Sequence, residues 1–110
     1  MKLPFADYIA THYSEEMIAG RKTAIGKDIR DGDLVIAVMD RGWVFVGIVT
    51  QLGNERVRID CCLNIHCWGT SGGLGELAEK GPLKETILYN SGSITGKPIF
   101  LMSVNSEVWL

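Results

Sequence analysis

Two hydroxyls and four glycines lie together in Gly69-Thr70-Ser71-Gly72-Gly73-Leu74-Gly75, directly after Trp68 and before a short helical pattern that Gly81-Pro82 closes. Small residues at a helix start let an anion reach backbone N–H groups that the helix dipole makes electropositive, and hydroxyls add hydrogen bonds. A phosphate or carboxylate suits such a loop. No Gly-Lys-Ser/Thr closes it, so it is not a P-loop. Its glycine spacing also misses the dinucleotide fingerprint, and no βαβ pattern surrounds it. The same residues also serve as a plain strand-to-helix connection capped by Thr70 or Ser71. Trp68 adds a stacking face and Arg58, on a neighbouring strand pattern, a guanidinium for bidentate pairing. The candidate ligand-binding residues are therefore Trp68, Gly69, Thr70, Ser71, Gly72, Gly73 and Arg58.

A second cluster, Cys61-Cys62-Leu63-Asn64-Ile65-His66-Cys67, contains thiols and an imidazole. Zinc needs several such groups to converge, and one strand supplies only two on a face. A Cys62–His66 nucleophile pair would span about 13 Å of extended chain, beyond hydrogen-bond reach. Packing thiols and a surface or interfacial histidine are the ordinary explanation. Glu76 and Glu79, three apart, suit a solvated helix face. Trp43 and Trp109 suit stacking on a planar ligand or burial in a core or interface. No nucleophile, base and oxyanion donors can be picked out together, so an enzyme is the weakest reading. No metal and no cofactor is expected.

The elements that must position these residues follow from periodicity. Phe5, Ile9, Tyr13 and Met17 recur every four residues and predict helix over residues 3–19, as one kinked helix or two short ones. From Asp33 the period changes to two. Strands are predicted at 34–39, 43–51, 56–61, 86–89 and 99–104, with turns at Asp40-Arg41-Gly42, Gly53-Asn54 and Asn90-Ser91-Gly92-Ser93. If the third strand continues in register, Val57, Ile59, Cys61, Leu63, Ile65 and Cys67 share one face, and Cys62, Asn64, His66 and Trp68 the other. Gly47 inside a strand predicts a bulge or sharp bend. The short helix is predicted at about 74–80.

Strands 34–39, 43–49 and 99–104 are apolar on both faces, where a half-exposed antiparallel sheet should alternate. The expected fold is α+β: a strongly bent antiparallel sheet or small β-barrel, with an N-terminal helix and one short helix after Trp68. A chain of 110 residues is one domain by size, here with a helical segment near 3–19 and a β-rich body near 33–104. The surplus apolar face calls for either a homo-oligomer or a closed barrel with the N-terminal helix docked on it.

The 11 basic and 13 acidic residues form no basic block, so nucleic acid is not an expected partner. No apolar run approaches the ~20 residues of a membrane helix, and the first residues lack a secretory apolar stretch. Three cysteines, an odd and clustered set, do not read as a disulfide framework. A reducing, cytoplasmic setting is expected.

Phe45-Val46-Gly47, residues 57–60, Trp68-Gly69 and Gly73-Leu74-Gly75-Glu76-Leu77-Ala78-Glu79-Lys80-Gly81-Pro82 occur in that order. This arrangement resembles an uncharacterised family of small proteins encoded by tailed bacteriophages and prophages. The likeness covers residues 43–88; where the family often carries basic residues before the Trp, this chain has Ile65-His66-Cys67. The resemblance implies a phage origin and an accessory role in the host cell. The expected function is non-enzymatic binding of a small anionic or nucleotide ligand by a homo-oligomer, by analogy with phage proteins that sequester host defence signals. A protein-interaction module that inhibits or redirects a host enzyme is the alternative.

Overall fold

The computed structural model describes Tyr13 and residues 22–109. The predicted N-terminal helix at 3–19 falls, apart from Tyr13, outside the described residues. Five strands, β1 (Leu34–Met39), β2 (Val44–Gly53), β3 (Arg56–Cys67), β4 (Ile87–Gly96) and β5 (Pro98–Ser103), form one antiparallel sheet in the order β4-β3-β2-β1-β5. Among the described residues one α-helix, α1 (Gly73–Lys80), lies between β3 and β4. Gly81, at φ 78, terminates it, as a glycine before proline should.

The sheet is open. β4 and β5 are its edges and share no ladder, which overturns the closed barrel. A single residue, Lys97, separates the two strands. So short a link cannot fold back to pair them, since tight hairpins use two residues or more. The same link does impose the bend. Flat, the edges of five strands would stand about 19 Å apart, whereas two Cα steps reach roughly 7.6 Å. The sheet therefore curls until the end of β4 meets the start of β5. A Cβ on Gly96 would lie 3.0 Å from Met39 Cε, on the strand paired with β5.

A bulge in β3 sharpens this bend. Val46 pairs with Leu63 and Ile48 with Asp60, so β3 carries one more residue than β2 across the step. Cys61 takes up the extra residue at φ 51. Opposite it, Gly47 touches β3 so closely that a Cβ would run into Ile59 Cγ2 and lie 2.8 Å from Asp60 O. The glycine thus marks a bend, as predicted. The bulge also corrects the expected faces. Val57, Ile59 and Cys62 pack in one core, while Cys61, Leu63 and Ile65 pack in the other. An inserted residue reverses every side chain beyond it.

The described residues form two buried clusters. In the first, Leu34, Ile36, Val46, Leu63 and Ile65 pack beneath Leu77 and Ala78 of α1, with Val104 and Trp109. Asn105 N donates to Ala78 O at 3.0 Å, and Thr23 Oγ1 donates to Val104 O at 2.8 Å, which holds the C-terminal segment down. Tyr13 is buried there too, its hydroxyl 3.1 Å from Val46 O and 3.0 Å from Cys61 O at the bulge. In the second, Val35, Ala37, Val49, Val57, Ile59 and Cys62 lie inside the curl, with Phe45, Ile94 and Leu101 against them. The bend thus helps to shelter apolar side chains that the sequence left without cover.

β4 also differs from expectation. The polar run 90–93 is not a turn but continues the strand to Gly96, with Gly92 paired to Cys62. Edge position accounts for this: the run's exposed side chains need no core, and Ser93 Oγ donates to Asp60 Oδ1 at 2.7 Å.

Candidate functional site

The glycine loop spends part of its chemistry on its own shape. Gly69, at φ 70, lies against the backbone of residues 85 and 86, leaving no room for a Cβ. Trp68 O accepts from Thr86 Oγ1 at 2.6 Å. Thr70 Oγ1 donates to Gly73 O at 2.6 Å. Gly72, not Thr70 or Ser71, takes the cap position and offers no side-chain bond. Ser71 and Gly72 are exposed. The Glu76 side chain folds back over them: a Cβ on Gly72 would lie 3.4 Å from Glu76 Oε1. The electropositive end of α1 therefore faces the chain's own carboxylate, the stabilising arrangement for a helix start. Glu76 Oε2 is buried without a hydrogen-bond partner among the described residues.

Arg58 is not brought to this loop. It sits near the start of β3, whereas Trp68 follows its end. Its Nε donates to Asp60 Oδ2 at 2.9 Å, and it also reaches Thr50 Oγ1 at 3.4 Å. The hydrogen bond from Ser93, then that from Arg58, holds the Asp60 carboxyl below its ordinary value.

The thiols divide. Cys62 is fully buried, and burial, with the nearby Asp60 charge, pushes its thiol up from 9.0 to about 12. A thiol held protonated is a poor nucleophile. Cys67 and His66 are exposed, and the His66 ring meets Tyr89 edge-on at 5.4 Å. Among the described residues no three of His, Cys, Asp and Glu converge on a common point.

The raised Cys62 value predicts alkaline sensitivity. Below pH 9.0 both states hold the proton and its contribution is complete; above it the unfolded chain releases a proton that the fold retains up to about 12. Stability should fall in that window by up to about 1.4 kcal/mol per pH unit. Urea unfolding of wild type and Cys62→Ala at pH 8 and pH 10.5 checks this: the variant should lose that part of the slope, and equal slopes would refute it.

The sequence reading missed the place where the curled sheet brings its corners together. Met39, Trp43, Phe45, Ile94 and Gly96 line a groove of about 480 Å³, with Asp40 and Lys97 as its charged members. Trp43 is 58% exposed, and its ring stacks on Phe45 at 6.4 Å between centroids and 14° between planes. A second recess, about 180 Å³, adjoins the same tryptophan and is lined by Arg41, Asn64 and His66. The turn before Trp43 shapes it: in the three-residue connection Asp40–Gly42, Arg41 at φ 62 and Gly42 at φ 80 are both left-handed. The sequence signals were Trp43 itself, which suited stacking on a planar ligand, and the turn Asp40-Arg41-Gly42 beside it. A further cavity of about 470 Å³ is lined by Lys22, Lys27, Glu79 and Glu107; Lys22 pairs with Glu107 there at 3.6 Å.

No helix among the described residues is long and apolar enough to cross a membrane. Comparison with family models, curated proteins and solved structures returned no match, so function is argued from the chain's own geometry.

Proposed function

We propose that this protein is a non-catalytic binder of a small flat ligand, and that the ligand is a nucleotide whose base lies in the groove at Trp43. The observation that carries this reading is the exposed Trp43 ring, stacked on Phe45 and forming one wall of a cavity of about 480 Å³. Ligand clefts commonly measure ~300–1,000 Å³ and are mainly apolar with a few polar groups. Stacking on an aromatic face is worth about 1–3 kcal/mol per base. The site therefore moves from the glycine loop to the far side of the sheet. The phage setting, in which such a protein sequesters a host signalling nucleotide, rests on the sequence resemblance alone.

Thermal-shift titration with nucleotides and cyclic dinucleotides tests the assignment. A ligand should raise the melting temperature of wild type and of Thr70→Val/Ser71→Ala. It should not raise that of Trp43→Ala, whose removed side chain is largely exposed. If the double variant loses the shift and Trp43→Ala keeps it, the ligand belongs to the glycine loop instead.

A second reading is favoured by one observation. Ile99 and Phe100 are 63% and 48% exposed on β5, an edge strand. Open edges with apolar side chains pair readily with another strand. A homo-oligomer or a host-protein complex would form there, and native mass spectrometry separates these from a retained small ligand.

A further inference from the structure

Resting on that reading, we propose that the smaller recess beside Trp43 is a phosphate subsite, in which Arg41 and His66 bind a tetrahedral oxyanion of the ligand. Four observations lead there. The recess, about 180 Å³, is too small for a whole nucleotide but shares Trp43 with the groove. Among the described residues its lining includes Arg41 and His66 and no Asp or Glu. Neither Arg41 nor His66 has an ion-pair partner among the described residues. The nearest acid in sequence, Asp40, lines the groove rather than the recess.

The surrounding groups are already oriented. Asn64 Nδ2 donates to Val44 O at 3.2 Å, which fixes the carboxamide and leaves its second N–H to donate. The edge contact with Tyr89 orients the His66 ring. The left-handed turn sets the origin of the Arg41 side chain. A planar guanidinium pairs two oxygens of a phosphate at once, and an imidazole N–H reaches a third. The ring of the ligand then falls on Trp43 and its charge beside Arg41, so one tryptophan separates the apolar half of the site from the cationic half.

The test is a calorimetric titration with the four common nucleosides, their 5′-monophosphates and inorganic phosphate, against wild type, Arg41→Asn and His66→Gln. Arg41 is left-handed, a conformation that Asn adopts more readily than most residues, so Arg41→Asn removes the guanidinium without disturbing the turn. A preferred monophosphate should bind wild type about tenfold more tightly than its nucleoside, the factor a charge-assisted hydrogen bond supplies. Arg41→Asn should erase that gap and leave nucleoside binding unchanged, and His66→Gln should narrow it. Equal binding of nucleoside and monophosphate to wild type would overturn the subsite and leave the groove reading intact. If no nucleoside or nucleotide binds, amide chemical shifts under inorganic phosphate decide. Shifts at Gly42, Asn64 and His66 that Arg41→Asn abolishes uphold the subsite while the nucleotide reading falls, and their absence overturns the subsite as well.

Discussion

Gly47→Ala is expected to destabilise the protein by about 3 kcal/mol, the upper part of the range for overpacking a well-filled interior. The reason lies across the sheet. The added Cβ would run into Ile59 Cγ2 and sit 2.8 Å from Asp60 O and 3.3 Å from Cys62 Cα. Two of those three atoms are backbone, and Ile59 is fully buried, so no flexible side-chain tip can give way. Relief would require β2 and β3 to separate at the bulge, where Tyr13 also holds the Cys61 and Val46 carbonyls. Strand separation there would open both cores together. Urea unfolding should show a midpoint shift of that size, and the melting temperature should drop by roughly 12 °C. A loss under 1 kcal/mol would mean that the close approach of β2 to β3 is not what sets the bend.

Trp109→Ala should cost about 3–5 kcal/mol, the range for truncating a buried aromatic. Trp109 is fully buried in the first core with Leu77, Ala78 and Val104. It is the last large anchor of a segment that also bonds Thr23 and Ala78 through the backbone. Its indole Nε1 is buried with no hydrogen-bond partner among the described residues, and an unpaired buried donor carries a desolvation penalty of about 1–3 kcal/mol. Trp109→Phe removes that donor while keeping an aromatic ring, and should lose less than half as much as Trp109→Ala. Equal losses for the two variants would mean that the indole outline, not apolar burial, sets the cost.

Local rules carried most of the fold. The period of two placed β1, β2 and the start of β3. Gly47 announced the bend, Asp40-Arg41-Gly42 and Gly53-Asn54 announced the hairpins, and Gly81-Pro82 announced the end of α1. Each rests on interactions within a few residues, so neighbours in sequence suffice to read it. The bulge at Cys61 was not legible. Its register depends on which residue of β2 stands opposite, and nothing in an alternating run of Arg, Val, Ile and Asp marks the inserted position.

The candidate site divides the same way. Thr70 and Gly69 looked free in sequence because their partners, Gly73 O and the backbone of residues 85 and 86, are apparent only once the loop is folded. Arg58 looked close to Trp68 because it was read as lying on a strand that neighbours the loop, whereas it stands near the start of β3 and Trp68 just past the end of that same strand. The groove at Trp43 draws its walls from the end of β1, the start of β2 and the end of β4. The chain by itself therefore determined the strands, the turns and an excess of apolar side chains, since these follow from residue type and spacing. Only the tertiary structure decided where that excess is hidden and where it stays open, because a curl enforced by the single residue between β4 and β5 sets which side chains end inside it and which stand at its mouth.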